Sequence, residues 1–488
     1  MSSGVVSAVR SERRTRVTEE QSVKVLHLSL GSLASKIRAK QISPVEATRH
    51  LLERIDAVND ESNVYITVLH EEALAAASRA EKEIVAGNVR GRLHGVPVGL
   101  KDIIYTDGVR TTMGSQIFQN HVPDHDATVV EKLKEAGAVV VGKLNTHQFA
   151  YGPTGDRSYF GPVRNPYDGT KISGGSSSGS GAAVAASLCY AALGTDTGGS
   201  VRIPASCCGV VGMKPTFGRV SKYGIFPLSW TLDHVGPMTR TVEDNAIVLG
   251  VLSGHDARDP YSVRKETEDF TRYLGREMQG SVVGVPSSFY FENVEEEVQA
   301  IVNKAIEVFR NLGAEIREVE IPDSEQILAA QRVVLVSEAF AVHEKRLRDQ
   351  PEHFEEEVRD RLLTGEATRA YEYIQAQQVK RVAVQEYSQA LEEADVLVSP
   401  TIPVLPTDIG QREVNIRGYK EHVRSALTRL TGPTDLNGFP ALSIRCGYSA
   451  SGLPVGLQLV GRPFDEANLY RFGHAFEQTN PTPASRLV

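Results

Sequence analysis

Residues 174–181 read GGSSSGSG and residues 194–200 read GTDTGGS, and these two stretches are the strongest indication of how the chain folds. Neither stretch can fill an apolar core, and glycine loses more conformational entropy than any other residue when it is held in place. The apolar segment AAVAASL at 182–188 follows directly and predicts a buried helix that begins at the glycines. A flexible linker would not explain this helix. The two stretches therefore predict a site where the backbone approaches a ligand closely.

The segments around these loops alternate between strand and helix patterns. Residues 95–100 (GVPVGL) form a short apolar run that ends in Lys101, which predicts a buried strand with a lysine at its end. Helix patterns follow at 127–136, 297–311 and 465–478. Strand patterns follow at 138–142, 282–286, 314–321, 395–399 and 455–460. This alternation predicts one large α/β domain over residues 25–488, with a mixed, mostly parallel, twisted sheet covered by helices on both faces.

Composition narrows the class of function. The chain has 488 residues, with 53 Lys and Arg against 61 Asp and Glu, for a net charge of −8. Wrapping nucleic acid needs a basic face, so we expect no direct nucleic-acid partner. No apolar run reaches the ~18 residues of a membrane span, so we expect no membrane partner and a cytoplasmic location. Residues 1–24 carry four arginines but no apolar signal core, which indicates a flexible arm, with a mitochondrial presequence as the alternative.

The cysteines indicate neither disulfides nor a metal site. Cys207 and Cys208 are adjacent and cannot pair with each other without strain, and no C-x-x-C spacing suggests zinc. The default interpretation of these two, and of Cys189 and Cys446, is buried free thiols in a reducing compartment. We expect no metal and no cofactor.

Three chemistries compete for the glycine-serine loops. A Walker phosphate loop matches the glycine spacing, but Ser180 stands where its lysine must be. A hydrolase nucleophile elbow, G-x-S-x-G, matches 175–179 formally, but the preceding residues 165–172 (NPYDGTKI) are turn-like rather than strand-like. The third is a serine nucleophile with a lysine base. Lys101 can act as that base only if burial disfavours its ammonium form.

The pattern continues beyond the loops and closely resembles the amidase signature family. The motifs are GVPVGLKD at 95–102, GGSSSGSGAAVAA at 174–186, GTDTGGSVRIPA at 194–205 and GVVGMKPT at 209–216. The resemblance runs from about Leu28 to Gln478, with a signature core at about 95–240, and it implies that the C-terminal half completes the sheet and the substrate pocket. Ser178 departs from the family pattern, which commonly has glycine there.

The resemblance implies a Ser–cis-Ser–Lys triad. Matched by position, Ser200 is the nucleophile, Ser176 the bridging serine and Lys101 the base. Neutral Lys101 takes a proton from Ser176, Ser176 takes one from Ser200, and Ser200 attacks the carbonyl to form an acyl-enzyme. The match also gives an oxyanion hole built from the backbone N–H groups of Thr197, Gly198, Gly199 and Ser200. Asp196 and Arg202 are expected to support this loop.

Other residues near the signature receive weaker assignments. His94, His147 and His234 are competing bases, which we interpret as ordinary polar residues. The expected substrate-binding residues are Ala150, Tyr151, Gly152, Ile225, Phe226 and Trp230. No charged clamp is apparent among them, so the main hypothesis is an amidohydrolase for a small neutral amide, aryl amide, carbamate or ester. Family members are often dimers, which makes a homodimer an expectation.

The alternative hypothesis is the glutaminase (A-type) subunit of a tRNA-dependent amidotransferase, which passes ammonia to partner subunits. In those subunits an arginine and an aspartate hold the α-groups of glutamine. Arg361 falls near the arginine position, but Thr428 falls near the aspartate position. The sequence AYEYI at 370–374 replaces a tyrosine-rich segment of those subunits. These departures favour the main hypothesis.

Overall fold

An eleven-stranded sheet runs through the part of the chain that the computed structural model describes, residues 25–481. The predicted arm at 1–24 lies outside the described residues. The strands are β1 Tyr65–Val68, β2 Pro97–Lys101, β3 Val139–Leu144, β4 Ala191–Asp196, β5 Val211–Lys214, β6 His234–Thr239, β7 Val282–Pro286, β8 Glu315–Val319, β9 Val396–Pro400, β12 Ala441–Tyr448 and β13 Pro454–Val460, beside a separate hairpin of β10 Glu413–Ile416 and β11 Tyr419–His422. Their order in the sheet is β1-β3-β2-β4-β6-β5-β12-β13-β9-β7-β8.

The predicted α/β class and mixed sheet are confirmed. Parallel pairs make up most of the two wings, where β2 pairs with β3 and β4, and β7 pairs with β8 and β9. At the outer edge of the first wing, β1 pairs antiparallel with β3. These are the β-α-β segments that the sequence pattern predicts. The strands between the wings, from β6 through β13, pair antiparallel. Because β5 and β12 pair across the middle, strands from both halves of the chain form one sheet.

Helices flank this sheet, and most of the predicted ones begin and end within two residues of the predicted positions. Ser43 accepts hydrogen bonds from the N–H groups of Val45 and Glu46, which caps the helix that starts at Pro44. The helices are Leu30–Arg38, Pro44–Ser62, His70–Val85, Thr128–Glu135, Ser178–Ala185, Arg202–Cys207, Val242–Leu252, Glu296–Asn311, Ser324–Asp349, Glu356–Leu363, Ala370–Glu393, Val423–Arg429, Gly432–Asn437 and Glu466–Thr479. Within the described part, no helix is both long and apolar enough to cross a bilayer.

The two longest helices, Ser324–Asp349 and Ala370–Glu393, are absent from the sequence predictions. The first buries Gln331, Glu338 and His343 along with its apolar residues. A hydropathy pattern counts such polar residues as exposed. It therefore does not detect the buried face of the helix, which these polar residues share with the apolar ones.

Parallel pairing in the first wing positions the site. β2 ends at Lys101 and β4 ends at Asp196, at the same edge of the sheet. The helix Ser178–Ala185 starts at this edge as well. A Cβ added at Gly179 would lie 2.6 Å from the backbone N of Asn145, so glycine is what lets the helix begin this close to the end of β3.

Candidate active site

Lys101 is fully buried at the end of β2 and contacts three hydroxyl groups. Its Nζ lies 2.7 Å from Ser176 Oγ, 2.8 Å from Thr195 Oγ1 and 3.0 Å from Ser177 Oγ. Burial lowers the pKa of Lys101 to about 7, although Asp233 and Asp196 oppose this shift. An amine with this pKa is partly neutral at physiological pH, which is the condition that a base at this position requires.

Of the two predicted serines, Ser176 contacts this amine directly, and Ser200 lies in the neighbouring loop without a side-chain hydrogen bond to Ser176 or Lys101 among the described residues. The peptide bond between Gly175 and Ser176 is cis, as the resemblance implies. The Ser177 N–H donates to the Ser200 carbonyl at 3.2 Å, which joins the two glycine-serine loops. Ser200 is 9% exposed, whereas Lys101 and Ser176 are both 0% exposed. Of the three predicted catalytic residues, Ser200 is therefore the one that a substrate can reach.

Side chains from other parts of the chain hold the loop from Thr197 to Ser200 by hydrogen bonds to its carbonyl groups. Gln331 Nε2 donates to the Thr197 carbonyl at 3.0 Å, and Thr431 Oγ1 donates to the Gly198 carbonyl at 2.7 Å. Gly199 has a φ of +122°, and a Cβ there would overlap Thr431, so this position requires glycine.

The N–H groups of this loop differ from the prediction at one position. Those of Thr197, Gly198 and Ser200 bond to no other residue of the described chain. The Gly199 N–H instead donates to Asp196 Oδ1 at 2.6 Å, because the loop folds back over that carboxylate. The Gly199 N–H is therefore engaged within the loop, which leaves three of the four predicted donors without a partner among the described residues, and the oxyanion hole itself stays a prediction.

Asp196 and Arg202 are both fully buried and lie directly beneath this loop. Asp196 also accepts from the Val201 N–H at 3.1 Å and from Arg202 Nε at 3.0 Å. Burial alone would raise the pKa of Asp196, but the Arg202 guanidinium holds it below its usual value. Arg202 Nη2 also lies 2.8 Å from Asp435 Oδ2. These contacts agree with the predicted supporting role.

Sequence reasoning missed a second layer of contacts to the loop. Thr197 Oγ1 donates to Asp233 Oδ1 at 2.7 Å, and Asp233 also accepts from the Leu228 and Ser229 N–H groups. Glu338 accepts from Ser229 Oγ at 2.5 Å. Asp233 belongs to the motif LDHVGPM at 232–238, which resembles the family without indicating a role for this residue. Glu338 and Gln331 carry no such signal, because the sequence pattern does not predict their helix.

The competing histidines are engaged elsewhere. His147 Nδ1 pairs with the Gly155 N–H at 3.2 Å, His234 Nδ1 with the Leu232 carbonyl at 2.6 Å, and His94 with Glu83 at 3.1 Å. Burial lowers the pKa of each, so all three are disfavoured as cations. These contacts agree with their interpretation as ordinary polar residues.

A cavity of about 210 Å³, here called the aromatic cavity, lies on the Thr195 side of the site. Four of the six predicted substrate-binding residues line it, namely Ala150, Ile225, Phe226 and Trp230. Tyr223 and Tyr261 add two further rings to its wall. Because Thr195 contacts Lys101, this cavity approaches the predicted base. Most of its lining is aromatic or aliphatic, but Lys222, Asp233, Arg258 and Asp259 line it as well.

A second cavity, of about 350 Å³ and here called the arginine cavity, lies on the Gly198 side. Arg332, Arg361 and Arg424 line it together with Thr428. The guanidinium of Arg361 lies 3.9 Å from the centre of the Tyr151 ring. Three separate helices bring these arginines together only in the folded chain, so the sequence analysis, which finds no charged clamp among its candidates, does not predict this cluster.

The other two predicted substrate-binding residues, Tyr151 and Gly152, are buried behind the cavities. A Cβ at Gly152 would overlap the His147 ring, so glycine allows this histidine to pack. Over residues 25–481, no three His, Cys, Asp or Glu side chains are grouped so that they could hold a metal ion. The four cysteines are buried and free.

Comparisons with known proteins give the same family along nearly the whole chain. The family model described as Amidase matches residues 46–470. The A-type subunit of glutamyl-tRNA(Gln) amidotransferase from Geobacter sp. (strain M21) is 41% identical over 481 residues, which cover 93% of this chain and 98% of that protein.

Two solved structures share the fold. The A-type subunit of glutamyl-tRNA(Gln) amidotransferase from Thermotoga maritima has a TM-score of 0.80 at 34% identity, covering 95% of this chain and 97% of its own. A bacterial aryl acylamidase of the amidase signature family has a TM-score of 0.86 at 26% identity, covering 94% and 97%. The chain belongs to the amidase signature family.

Proposed function

We propose that this enzyme cleaves the C–N bond of a carboxamide with Ser200 as the nucleophile. The observation that carries the proposal is the contact of a fully buried lysine amine with the Ser176 hydroxyl at 2.7 Å, in a loop whose Ser177 N–H donates to the carbonyl of the more accessible Ser200. A lysine whose pKa is lowered to about 7 by burial can accept a proton near neutral pH. Ser176 then relays the proton from Ser200, as the family resemblance implies.

In this proposal, Ser200 Oγ attacks the amide carbon and the carbonyl oxygen becomes an oxyanion. The unpaired N–H groups of Thr197, Gly198 and Ser200 are the donors that stabilise it. The relay then runs in reverse and protonates the leaving nitrogen, which departs as ammonia or an amine. Water hydrolyses the acyl-enzyme by the same path and regenerates the Ser200 hydroxyl.

The leading candidate for the physiological role is the glutamine-hydrolysing A-type subunit of a tRNA-dependent amidotransferase. Its support is the 41% identity to a protein of that name over 98% of that protein's length. Arg361, near the position that binds glutamine in such subunits, lines the same cavity as Gly198. In this role the chain works with partner subunits and a tRNA substrate, while its own surface, at a net charge of −8, need not bind nucleic acid.

The second candidate is a stand-alone amidase for a small apolar or aryl amide. The aromatic cavity beside Thr195 favours it, because the aromatic and aliphatic residues that make up most of its lining suit an uncharged acyl or aryl group. Thr428 also favours it, since the resemblance places an aspartate near that position in glutaminase subunits. In this role a homodimer and a cytoplasmic location remain predictions.

The test is ammonia or amine release by the purified full-length chain from glutamine, an aliphatic amide, an aryl amide and a carbamate. Ser200→Ala should abolish turnover of every substrate cleaved, while Ser388→Ala, an exposed serine on a distant helix, should leave it unchanged. A fully active Ser200→Ala variant would overturn the mechanism. Glutamine turnover that depends on co-purified partner subunits would select the amidotransferase role, and turnover of aryl amides by the chain alone would select the amidase.

A further inference from the structure

The carboxylate of Glu338 accepts four hydrogen bonds from two other parts of the chain. Its Oε2 accepts from Ser229 Oγ at 2.5 Å and from the Thr231 N–H at 3.0 Å. Its Oε1 accepts from Thr231 Oγ1 and from the Tyr373 hydroxyl, both at 2.7 Å. Glu338 is buried, and hydrogen bonds to a charged acceptor are stronger than those between neutral groups. These four bonds therefore join the two longest helices to residues 228–233, here called the 228–233 segment.

The 228–233 segment also contacts the catalytic loop through Asp233. Oδ2 of this residue accepts from the N–H groups of Leu228 and Ser229 at 2.9 and 3.0 Å, which closes the segment on itself. Oδ1 accepts from Thr197 Oγ1 at 2.7 Å. The N–H of Thr197 is one of the predicted oxyanion donors. A displacement of the segment would therefore displace a donor that the proposed reaction uses.

The same segment carries Trp230, which is the only tryptophan in the sequence. Trp230 stands between the two residues that Glu338 binds, and it lines the aromatic cavity. Its ring is 43% exposed, so packing alone contributes little to fixing its position. The hydrogen bonds on either side of Trp230, to Ser229 and Thr231, therefore determine where this wall of the cavity lies.

Building on the proposed amide hydrolysis, we infer that Glu338 is a positioning residue that fixes the 228–233 segment, so that Trp230 forms a wall of the aromatic cavity while Asp233 holds Thr197 in the catalytic loop. Among the described residues, Glu338 has no hydrogen bond to the predicted triad, so it acts through the segment. One carboxylate thereby links the shape of a cavity to the position of an oxyanion donor.

Two substitutions of Glu338 separate the effect of its hydrogen bonds from that of its volume. Glu338→Leu removes all four acceptor contacts. Glu338→Gln keeps one oxygen for Ser229 and the Thr231 N–H, and its NH₂ group can donate to the hydroxyls of Thr231 and Tyr373, which can turn to accept. The glutamine variant should therefore preserve most of what the leucine variant loses.

The fluorescence of Trp230 in the purified full-length chain measures the segment without any turnover. In Glu338→Leu the emission anisotropy should fall and quenching by acrylamide should rise, because the segment moves more freely. Glu338→Gln should resemble the unaltered protein. The double variant Ser229→Ala/Thr231→Val removes two of the four donors from the segment itself, so it should change both signals in the same direction even if Glu338→Leu fails to fold. Unaltered fluorescence in the folded variants would overturn the inference.

Turnover tests whether the position of the segment matters for the reaction. The kcat for any amide that the enzyme cleaves should fall about tenfold or more in Glu338→Leu, and Glu338→Gln should restore most of it. A normal kcat in folded Glu338→Leu would overturn the inference. If the unaltered enzyme cleaves no amide, the proposed function fails instead, and the fluorescence of Trp230 still decides whether Glu338 holds the segment.

Glu477→Leu is the matched control. Glu477 also accepts from the backbone of another element, the Val242 N–H, at 3.1 and 3.2 Å, and its helix lines neither the aromatic nor the arginine cavity. This variant should lose stability and leave both kcat and the fluorescence of Trp230 unchanged. Equal losses of kcat in Glu338→Leu and Glu477→Leu would show a general structural role for Glu338 and overturn the inference.

Discussion

Two fully buried lysines lie on neighbouring strands, and their surroundings differ. Lys101 ends β2 and contacts three hydroxyl groups, whereas Lys143 in β3 contacts the Ile104 carbonyl and Thr111 Oγ1, with Asp102 at 3.9 Å. Burial lowers the pKa of both, to about 7 for Lys101 and about 8 for Lys143. Burial alone therefore does not distinguish a base from a structural cation.

The two lysines differ in whether their partners can both donate and accept hydrogen bonds. A carbonyl and a carboxylate only accept hydrogen bonds, and the Thr111 hydroxyl donates to the Val109 carbonyl at 3.1 Å, so all three partners favour the ammonium form of Lys143. A hydroxyl both donates and accepts, so the surroundings of Lys101 satisfy the neutral amine as well as the ammonium. Only one of these hydroxyls, that of Ser176, is predicted to relay a proton from Ser200. The partners of Lys101, rather than its burial, therefore support its proposed role as the base.

The largest expected effect is the loss of catalysis in Lys101→Met. Turnover should fall about 10²–10⁴-fold, because the proton relay loses its acceptor. Lys143→Met should keep most of its turnover but lose about 2 kcal/mol or more of unfolding free energy, since Asp102 is left buried without its cation. Turnover and urea denaturation of both variants measure this contrast. If Lys143→Met were the inactive variant, the roles assigned to the two lysines would be wrong.

The next effect concerns the loop that follows β4. Asp196→Asn weakens the acceptor for the Gly199 N–H and the ion pair with Arg202, so the three donors of the loop lose their fixed positions. We expect kcat to fall about 10²-fold with a smaller change in KM. Asp269→Asn, at a surface turn, is the control. An unchanged kcat in folded Asp196→Asn would contradict the role given to this carboxylate.

The pH dependence of catalysis distinguishes Lys101 from the histidines as the base. Lys101 must be neutral to accept a proton, so kcat/KM should rise about tenfold per pH unit below about 7 and level off above it. Removing the Asp233 charge disfavours the ammonium form, so Asp233→Asn should move this limb to lower pH. The buried histidines, whose pKa values burial lowers, would instead give a limb below the ordinary histidine pKa of about 6.5 in the unaltered enzyme. Profiles of the two proteins over about pH 5–9 separate these outcomes.

The smallest expected effect comes from a matched pair of threonines. Thr195→Val removes one hydroxyl partner of Lys101 and should lower kcat about threefold to tenfold, the equivalent of about 1 kcal/mol. Thr111→Val removes the corresponding partner of Lys143 and should lower stability by about 1 kcal/mol with kcat unchanged. Equal effects on kcat would mean that the two lysine environments are functionally alike.

Much of the fold and the site is predictable from local patterns. The apolar run at 95–100 predicts β2 and the position of Lys101 at its end, because a short buried strand needs only its own side chains to be recognised. The two glycine-serine motifs predict the loops that carry Ser176 and Ser200. The antiparallel centre of the sheet is less predictable, since pairing between β5 and β12 joins segments more than 200 residues apart.

The amino-acid sequence alone specifies the family, the β-α-β wings and the three residues of the predicted triad, because each rests on a short motif with its own backbone geometry. Three other features become visible only in the folded chain: Lys101 meets hydroxyls while Lys143 meets acceptors, the Gly199 N–H is used within its loop, and Arg361 and Arg424 share one cavity. The residues that make these contacts are far apart in the sequence, so no short motif contains them. The burial and the charge of a site depend on residues that come together only when the chain folds.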